Sequence, residues 1–478
     1  MIPSTLKIAP EIIAEPRRLS VYFSGKLLLR QEIPLAEADF QQLLVNGQFS
    51  AVPSISQTLF LTKCHRCGNR KRSLFGHIPC QRCYKTHLYC RKCIEMGRVL
   101  ACEPLYIWTG AKPKWVTHEQ PCTWEGKLTH VQQHAADRIV QAIQHEESHL
   151  LIWAVCGAGK TEMLFPGITE ALNQGMRICI ATPRVDVVRE LLPRMKKAFA
   201  TVFIQGLYGG SDDQDGTAQL IIATTHQLLR YKQAFDVVII DEIDAFPYHA
   251  DSSLPFASER AVKKRGTMVY LTATPRKEHR YQMLRKKLPH IFIPLRFHGH
   301  PLPVPSMKMC ISLQKYLRKG MPPKSFIKWL QRRKHPTRQL LLFVPTISLA
   351  EQLQQSFALL LKQNQIVQQR SEVQTVHSQD TEREEKITAF REGQITVLLT
   401  TTILERGVTF PSIDVAVLDA GHDVFDEAAL VQIAGRAGRS AQDPTGEVVF
   451  IHDGKTDAMV EAVRMITLMN RRGRGIVS

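Results

Sequence analysis

The chain has 478 residues, enough for about three domains with buried cores. It is 44% hydrophobic and 22% charged, with no low-complexity tract, which excludes intrinsic disorder as its main state. Its 62 Lys and Arg against 44 Asp and Glu leave a net charge of +18, which points to a polyanionic partner, either nucleic acid or an anionic membrane surface.

Residues 1–16 carry Glu11 and Glu15 where a secretory signal would need an apolar core, so no signal peptide is expected and the chain is read as cytoplasmic. The longest uncharged apolar run, 150–159, is far short of the roughly 18 residues a membrane helix needs. No transmembrane segment is expected, and any membrane association is peripheral. The composition divides the chain into an N-terminal region (1–59), a cysteine-rich zinc-binding module (60–125) and two lobes (126–300 and 301–478) separated by the proline-rich stretch around 298–305.

In the module, Cys64-His65-Arg66-Cys67-Gly68 reads as a zinc-knuckle turn, and Cys90 and Cys93 form a second pair opening a helix. Together they supply four thiolates for a tetrahedral Zn²⁺, the spacing of a structural site. Cys80 and Cys83 lie between them and are placed on an intervening loop. An alternative pairs Cys64 and Cys67 with Cys80 and Cys83, and a further one adds a second metal completed by His77, His87 or Cys102. Residues 61–100 hold ten Lys or Arg against the single acid Glu95, with Phe75, Tyr84 and Tyr89 among them. That mixture suits a single nucleic-acid strand, whose phosphates meet charge while its bases stack on rings.

From residue 128 apolar runs alternate with helix-length segments. Strands are expected at 150–154, 178–181, 220–223, 237–240 and 268–271, then at 340–344, 373–376, 397–400, 415–418 and 448–451. This is an α/β pattern of two tandem parallel-sheet lobes with a cleft between them.

Cys156-Gly157-Ala158-Gly159-Lys160-Thr161 lies between a strand and a helix and reads as a phosphate cradle. Gly157 and Gly159 let backbone N–H groups approach phosphate, Lys160 reaches the terminal oxygens, and Thr161 ligates Mg²⁺. Ala154 stands where the usual pattern has its first glycine. Asp241-Glu242-Ile243-Asp244 ends the next-but-two strand, so Asp241 is placed to hold Mg²⁺ and Glu242 to orient the attacking water. Arg436 and Arg439, three apart, are expected to share a face of a turn or helix and to stabilise charge developing on the γ-phosphate.

These motifs, in this order, resemble superfamily 2 helicases and translocases, which implies two RecA-like lobes. The resemblance extends to Ala181-Thr182-Pro183-Arg184, Thr224-Thr225-His226-Gln227, Leu271-Thr272-Ala273-Thr274-Pro275, the run from Thr400 through Thr402, Glu405 and Gly407 to Val408, and Gln432–Arg439. It implies nucleic-acid contacts from Thr182, Arg184, Thr225, Thr402 and Gly407, and adenine recognition by Gln132, whose amide can both donate to and accept from a base edge. With the cysteine module in front, the whole is similar to the late-competence ComFA family, and less closely to primosomal PriA helicases. Cys80 and Cys83 depart from the four-cysteine pattern of the ComFA family. The resemblance implies an ATP-driven single-stranded DNA translocase at the inner face of the cytoplasmic membrane, with ComFC, DprA and the ComEC channel as partners. The other readings are a replication-restart helicase, for which no strand-splitting insertion is visible, and a non-motor ATP-gated DNA-binding scaffold, which would not need both Glu242 and the arginine pair.

Overall fold

Unbroken apolar runs make strands that are covered on both faces, and each of the ten expected runs does form one. The computed structural model describes residues 16–213, 215–363, 369–406 and 408–477. They fall into two compact units: one runs to Ile152 and resumes over Thr161–Ile291, and the other joins Trp153–Lys160 to the chain from Phe292 onward.

The first unit begins with β1 (Leu27–Leu28) and β2 (Phe49–Val52). The chain then leaves this sheet, forms the hairpin β3 (Ile55–Gln57) and β4 (Thr62–Cys64), and builds an antiparallel sheet from β5 (Phe75–Pro79), β6 (Thr86–Cys90) and β7 (Val99–Leu100). It returns as β8 (Leu105–Trp108), which inserts between β1 and β2. Phe23, Phe40 and Phe49 are buried in the resulting core, with Tyr106 and Trp108 of β8 packed on them at ring separations of 4.9 and 5.2 Å. The break expected at 59/60 therefore falls inside one body. The exposed edges of two short strands need a partner, and that partner comes from the far side of the cysteine module.

The next sheet is built from β9 (His149–Ala154), β10 (Ile178–Thr182), β11 (Ile204–Leu207), β12 (Leu220–Thr224), β13 (Phe235–Ile240), β14 (Val262–Thr272) and β15 (His290–Ile293), the last two residues of β9 and of β15 belonging to the second unit. Their order in the sheet is β11-β12-β10-β13-β14-β9-β15. The four ladders joining β11 through β14 are parallel, which puts the carboxyl ends of those strands on one edge. The second unit's sheet holds β16 (Ser306–Met309), β17 (Gln339–Phe343), β18 (Val373–Val376), β19 (Val397–Thr400), β20 (Ile413–Leu418) and β21 (Val448–His452), in the order β16-β21-β20-β17-β19-β18 with parallel ladders throughout. β11, β15 and β16 were not expected. They are four-residue strands at sheet edges. The boundary between units lies at Ile291/Phe292, ahead of the proline-rich stretch. No helix among the described residues is long and apolar enough to cross a membrane.

Candidate functional site

β9 feeds the loop 155–159 and then the helix Lys160–Asn173. Gly157 and Gly159 take φ of +81° and +71°, values that only glycine adopts without steric cost, and such a turn directs successive N–H groups to one side. Lys160 and Thr161 open the helix and are half-buried. A glycine loop that leads into a helix N-terminus is the kind of backbone that suits phosphate oxygens.

At the carboxyl end of β13, the Asp241 N–H donates to the Ala181 carbonyl at 2.8 Å, tying the acidic turn to the end of β10. Glu242 follows at φ +59°, a left-handed conformation that costs a non-glycine residue about 1–3 kcal/mol and that concentrates at functional sites. Asp244 is fully buried. Its two carboxylate oxygens accept from Thr272 Oγ1 at 2.7 Å and Thr274 Oγ1 at 2.6 Å, while its own carbonyl accepts from Arg276 at 3.1 Å. The acidic turn is thus hydrogen-bonded to the threonine motif at the end of β14.

Gln132 has a structural role that its motif did not announce. Its Oε1 accepts from the Thr129 N–H at 2.8 Å while its own N–H donates to Thr129 Oγ1 at 3.4 Å, a capping box on the helix His130–Gln144. The Thr-x-x-Gln spacing was the signal for it.

In the second unit, Arg436 is buried, and its guanidinium donates to the carbonyls of Glu405 at 3.0 Å and Val408. Arg439 is half-buried and donates to the same Val408 carbonyl at 3.2 Å and to Thr409 Oγ1 at 3.1 Å. The two arginines both bond the Val408 carbonyl, and they follow the helix Glu427–Ala434 rather than lying on it. The same unit holds two contacts that sequence reasoning missed. Cys156 Sγ donates to Gln432 Oε1 at 2.9 Å, and buried Arg296 donates to the carbonyls of Gly438 and, at 2.9 Å, Ala437. A lone Arg in a linker carries no sequence signal for this role.

Among the residues expected to meet nucleic acid, Thr182 and Thr225 sit at the ends of β10 and β12. Both residues are fully buried, and among the described residues neither hydroxyl has a hydrogen-bond partner. Arg184 precedes the helix Val185–Ala198. Thr402 opens a 3₁₀ turn, and Gly407 lies outside the described residues.

The structure brings Cys64, Cys67, Cys90 and Cys93 together. All four are buried, their sulfurs lie within 4.8 Å of one another, and the Cys64–Cys93 and Cys67–Cys90 pairs are 3.8 and 3.5 Å apart. Four thiolates about 2.3 Å from a tetrahedral zinc would be about 3.8 Å apart, so the donor set fits Zn²⁺. Gly68, at φ +73°, completes the knuckle and abuts the Phe256 ring so closely that a Cβ would lie 2.6 Å from Cγ.

Buried polar contacts fasten this knuckle to the lobe. Arg66 is wholly buried and pairs with Glu32 at 2.6 Å, and Arg230 pairs with the same Glu32 oxygen at 2.9 Å. Arg260, on the helix Ser253–Ala261 that follows the acidic turn, donates to the knuckle carbonyls of His65 (2.9 Å) and Arg66 and to those of Leu229 (2.7 Å) and Tyr231 (2.9 Å). Arg70, Lys71 and Arg72 remain exposed beside the β3–β4 hairpin tip, where Phe60 is 88% exposed. Of the aromatics named from sequence, Tyr84 is exposed, Phe75 is buried and Tyr89 lies beneath Arg98. Phe60, the most accessible ring beside these cations, was not singled out.

With this geometry in hand, comparisons with known proteins place the chain. The competence protein ComFA N-terminal domain matches residues 14–107, the type III restriction enzyme res subunit family matches 125–277, and the helicase conserved C-terminal domain matches 322–441. Competence protein ComFA of Bacillus subtilis (strain 168) is 46% identical over 455 residues, 95% of each chain. The chain belongs to the ComFA family of competence proteins. ComFA of Streptococcus pneumoniae (strain ATCC BAA-255 / R6) is 37% identical over 83% of this chain and 91% of its own. Among solved structures, S. cerevisiae Dbp5 bound to RNA and ADP BeF3 superposes with a TM-score of 0.51 at 20% identity, covering 72% of this chain and 88% of that one. Mycobacterium smegmatis helicase Lhr bound to ssDNA and AMP-PNP gives 0.51 at 15%, covering 73% and 50%. The fold is that of two tandem RecA-like helicase lobes, and the catalytic domains are of the helicase-type ATPase class. The ComFA N-terminal match ends at 107, within β8, so the family's own domain is the body that β8 closes.

Asp244 gives this wiring a direct test. Asp244→Ala would strand the Thr272 and Thr274 hydroxyls in a dry site, at about 1–3 kcal/mol each. Urea unfolding of the first lobe should show a loss of that size, and ATPase should fall with it. A variant within about 0.5 kcal/mol of the wild type would mean the contact carries no weight.

Proposed function

We propose that this ComFA-family chain is an ATP-driven motor that draws single-stranded DNA inward during natural competence, acting at the inner face of the cytoplasmic membrane. The observation that carries the reading is the buried Asp244 contact. It joins the acidic turn of a helicase-type ATPase to the threonine motif, so the two would respond together to nucleotide. Kinship with ComFA proteins supplies the process, and extends the proposal to ComFC, DprA and the ComEC channel as partners.

ATP with Mg²⁺ supplies the phosphoryl bond that is cleaved. On this reading Gly157 and Gly159 present backbone N–H donors to phosphate oxygens, and Lys160 balances their charge. Thr161 and Asp241 hold the Mg²⁺. Glu242 orients the water, its left-handed backbone fixing the direction of the side chain. Arg436 and Arg439 offset charge developing in the transition state, while their bonds to the Glu405–Val408 segment would relay that event into the strand-contacting part of lobe two. Because the Gln132 oxygen already caps a helix, adenine recognition by Gln132 falls to its amide nitrogen. Thr182, Arg184, Thr225, Thr402 and Gly407 are assigned to the phosphates of the strand. The exposed cations and Phe60 of the cysteine module extend that track.

ATPase assayed with single-stranded DNA, duplex DNA and RNA tests the reading directly. Single-stranded DNA should stimulate most, and stimulation by RNA alone would overturn the DNA assignment. Lys160→Ala should weaken nucleotide binding, whereas Glu242→Gln should keep it and lose turnover by at least about 10²-fold. Near-normal turnover in Glu242→Gln would remove the water-orienting role. Arg439→Ala should cut stimulated turnover by about 10³-fold with nucleotide affinity changed far less. Equal losses in affinity and turnover would make Arg439 a ground-state contact instead. Replacing Arg70, Lys71 and Arg72 together by Ala should flatten the salt dependence of single-strand binding by up to about 0.7 for each phosphate no longer neutralised. An unchanged slope would take the module off the DNA track.

A further inference from the structure

Outside the four-cysteine cluster, a second group of metal-binding side chains is gathered at the far end of the same hairpin. Cys80, Cys83 and Cys102 have sulfurs within 4.8 Å of one another. They interleave with the first set in sequence, and it is topology that separates the two groups. In the β5–β6 ladder, Phe75 pairs with Cys90 at one end and Pro79 with Thr86 at the other. The first cluster takes Cys90, whereas Cys80 and Cys83 occupy the connection beyond Pro79. Cys102 lies in the turn between β7 and β8.

The conformation of that connection is the stronger clue. In the knuckle of the first cluster, the Cys64 N–H donates to the Asn69 carbonyl at 3.0 Å, the Gly68 N–H donates to the Cys64 carbonyl at 2.9 Å, and Gly68 is left-handed. At the tip, the Cys80 N–H donates to the Lys85 carbonyl at 2.9 Å, the Tyr84 N–H donates to the Cys80 carbonyl at 2.9 Å, and Tyr84 is left-handed at φ +56°. The two turns match residue for residue. The N–H groups of Cys83 and Arg82 also face the Cys80 sulfur. A glycine accepts this backbone freely, but a tyrosine does so against steric cost, so the turn needs something to hold it. Tyr84 itself is 90% exposed, so burial of its ring is not what holds it.

We propose that Cys80, Cys83 and Cys102 are three ligands of a second structural zinc site, with His87 as the fourth. His87 lies on β6 with its Nε2 3.0 Å from Cys83 Sγ but outside the mutual 4.8 Å group of the three sulfurs, so it completes the set only by turning its side chain toward Cys80 and Cys102. Three thiolates and one imidazole are a set that favours tetrahedral Zn²⁺ over harder cations. Arg30 and Arg82 line the same cavity, where they also pair with Glu37 and Glu103 at 2.8 and 3.7 Å. Bound there, the ion ties the hairpin tip to the turn that launches β8 back into the N-terminal sheet, so it fixes the cysteine module at the end opposite the first cluster.

The full-length chain, purified under reducing conditions with zinc supplied and then dialysed, should carry two zinc ions by elemental analysis. Cys83→Ser and Cys102→Ser should each carry one, with far-UV circular dichroism unchanged. Cobalt substitution provides a check that does not depend on those variants: the wild type should show thiolate-to-cobalt absorption in two titration steps. His87→Ala should surrender one zinc to a chelator at least about tenfold faster, and unchanged release would overturn the His87 assignment. One zinc in the reduced wild type, or two in a Cys80→Ser/Cys83→Ser double variant, would overturn the site.

Discussion

The guanidinium of Arg260 is the joint on which the first unit turns. Arginine alone offers five donors in a fixed plane, and here they are spent on carbonyls from two separate segments, the metal knuckle at His65–Arg66 and the strand-end turn at Leu229 and Tyr231. A lysine could not span both. Burial lowers this group to about 10, so it remains a cation at neutral pH, and the sulfurs of Cys64, Cys67 and Cys93 help to keep it charged. A zinc held there by four thiolates would carry a net charge of about −2, which the buried Arg260, and Arg66 with its Glu32 partner, would offset in part. The cysteine module is in this sense an electrostatic complement of the lobe rather than an appendage to it. The helix that carries Arg260 begins just past the acidic turn, which places the joint one element away from the chemistry.

Parallel sheets explain why so much converges. Every strand of β10, β12, β13 and β14 delivers its terminal residues to the same edge, and these are the residues with chemistry to offer: Thr182, Thr225, Asp241 and Thr272. The core needs only apolar residues within the strands, so polar residues at the ends are free to be chosen for function. Asp244 is the exception that joins the two. It is buried like a core residue, yet it bonds like a site residue to Thr272 and Thr274.

What sequence made legible follows the same division. The ten expected strands, the glycine cradle and the cysteine pairs have local composition or spacing that a reader can count. The interleaving of β8 with β1 and β2 could not be counted, because strand pairing across a whole module leaves no trace in Leu105–Trp108 beyond four apolar residues. Gln132 was read only for adenine, although its Thr-x-x-Gln spacing also carries the signal of a helix cap, and the structure displays the cap. Phe60 went unread because exposure at a hairpin tip is a property of the fold. Arg260 and Arg296 went unread because an arginine that bonds carbonyls has no partner in sequence to betray it.

That last class bears on the meaning of the +18 charge. Arg177, Arg296 and Arg436 are buried, and each donates to backbone carbonyls: Arg177 to Gly216 at 2.6 Å, Arg296 to Ala437 and Gly438, Arg436 to Glu405 and Val408. A carbonyl carries no formal charge, so these bonds hold the cations in place without themselves cancelling their charge. Their charge still adds to the long-range field that draws a polyanion toward the protein. They cannot touch it. The steering charge and the contact charge are therefore different sets of residues, and only exposed ones such as Arg70, Lys71 and Arg72 can release counterions from a bound strand. A salt slope counts the second set alone, which is why it should fall well below what the net charge of the chain would imply.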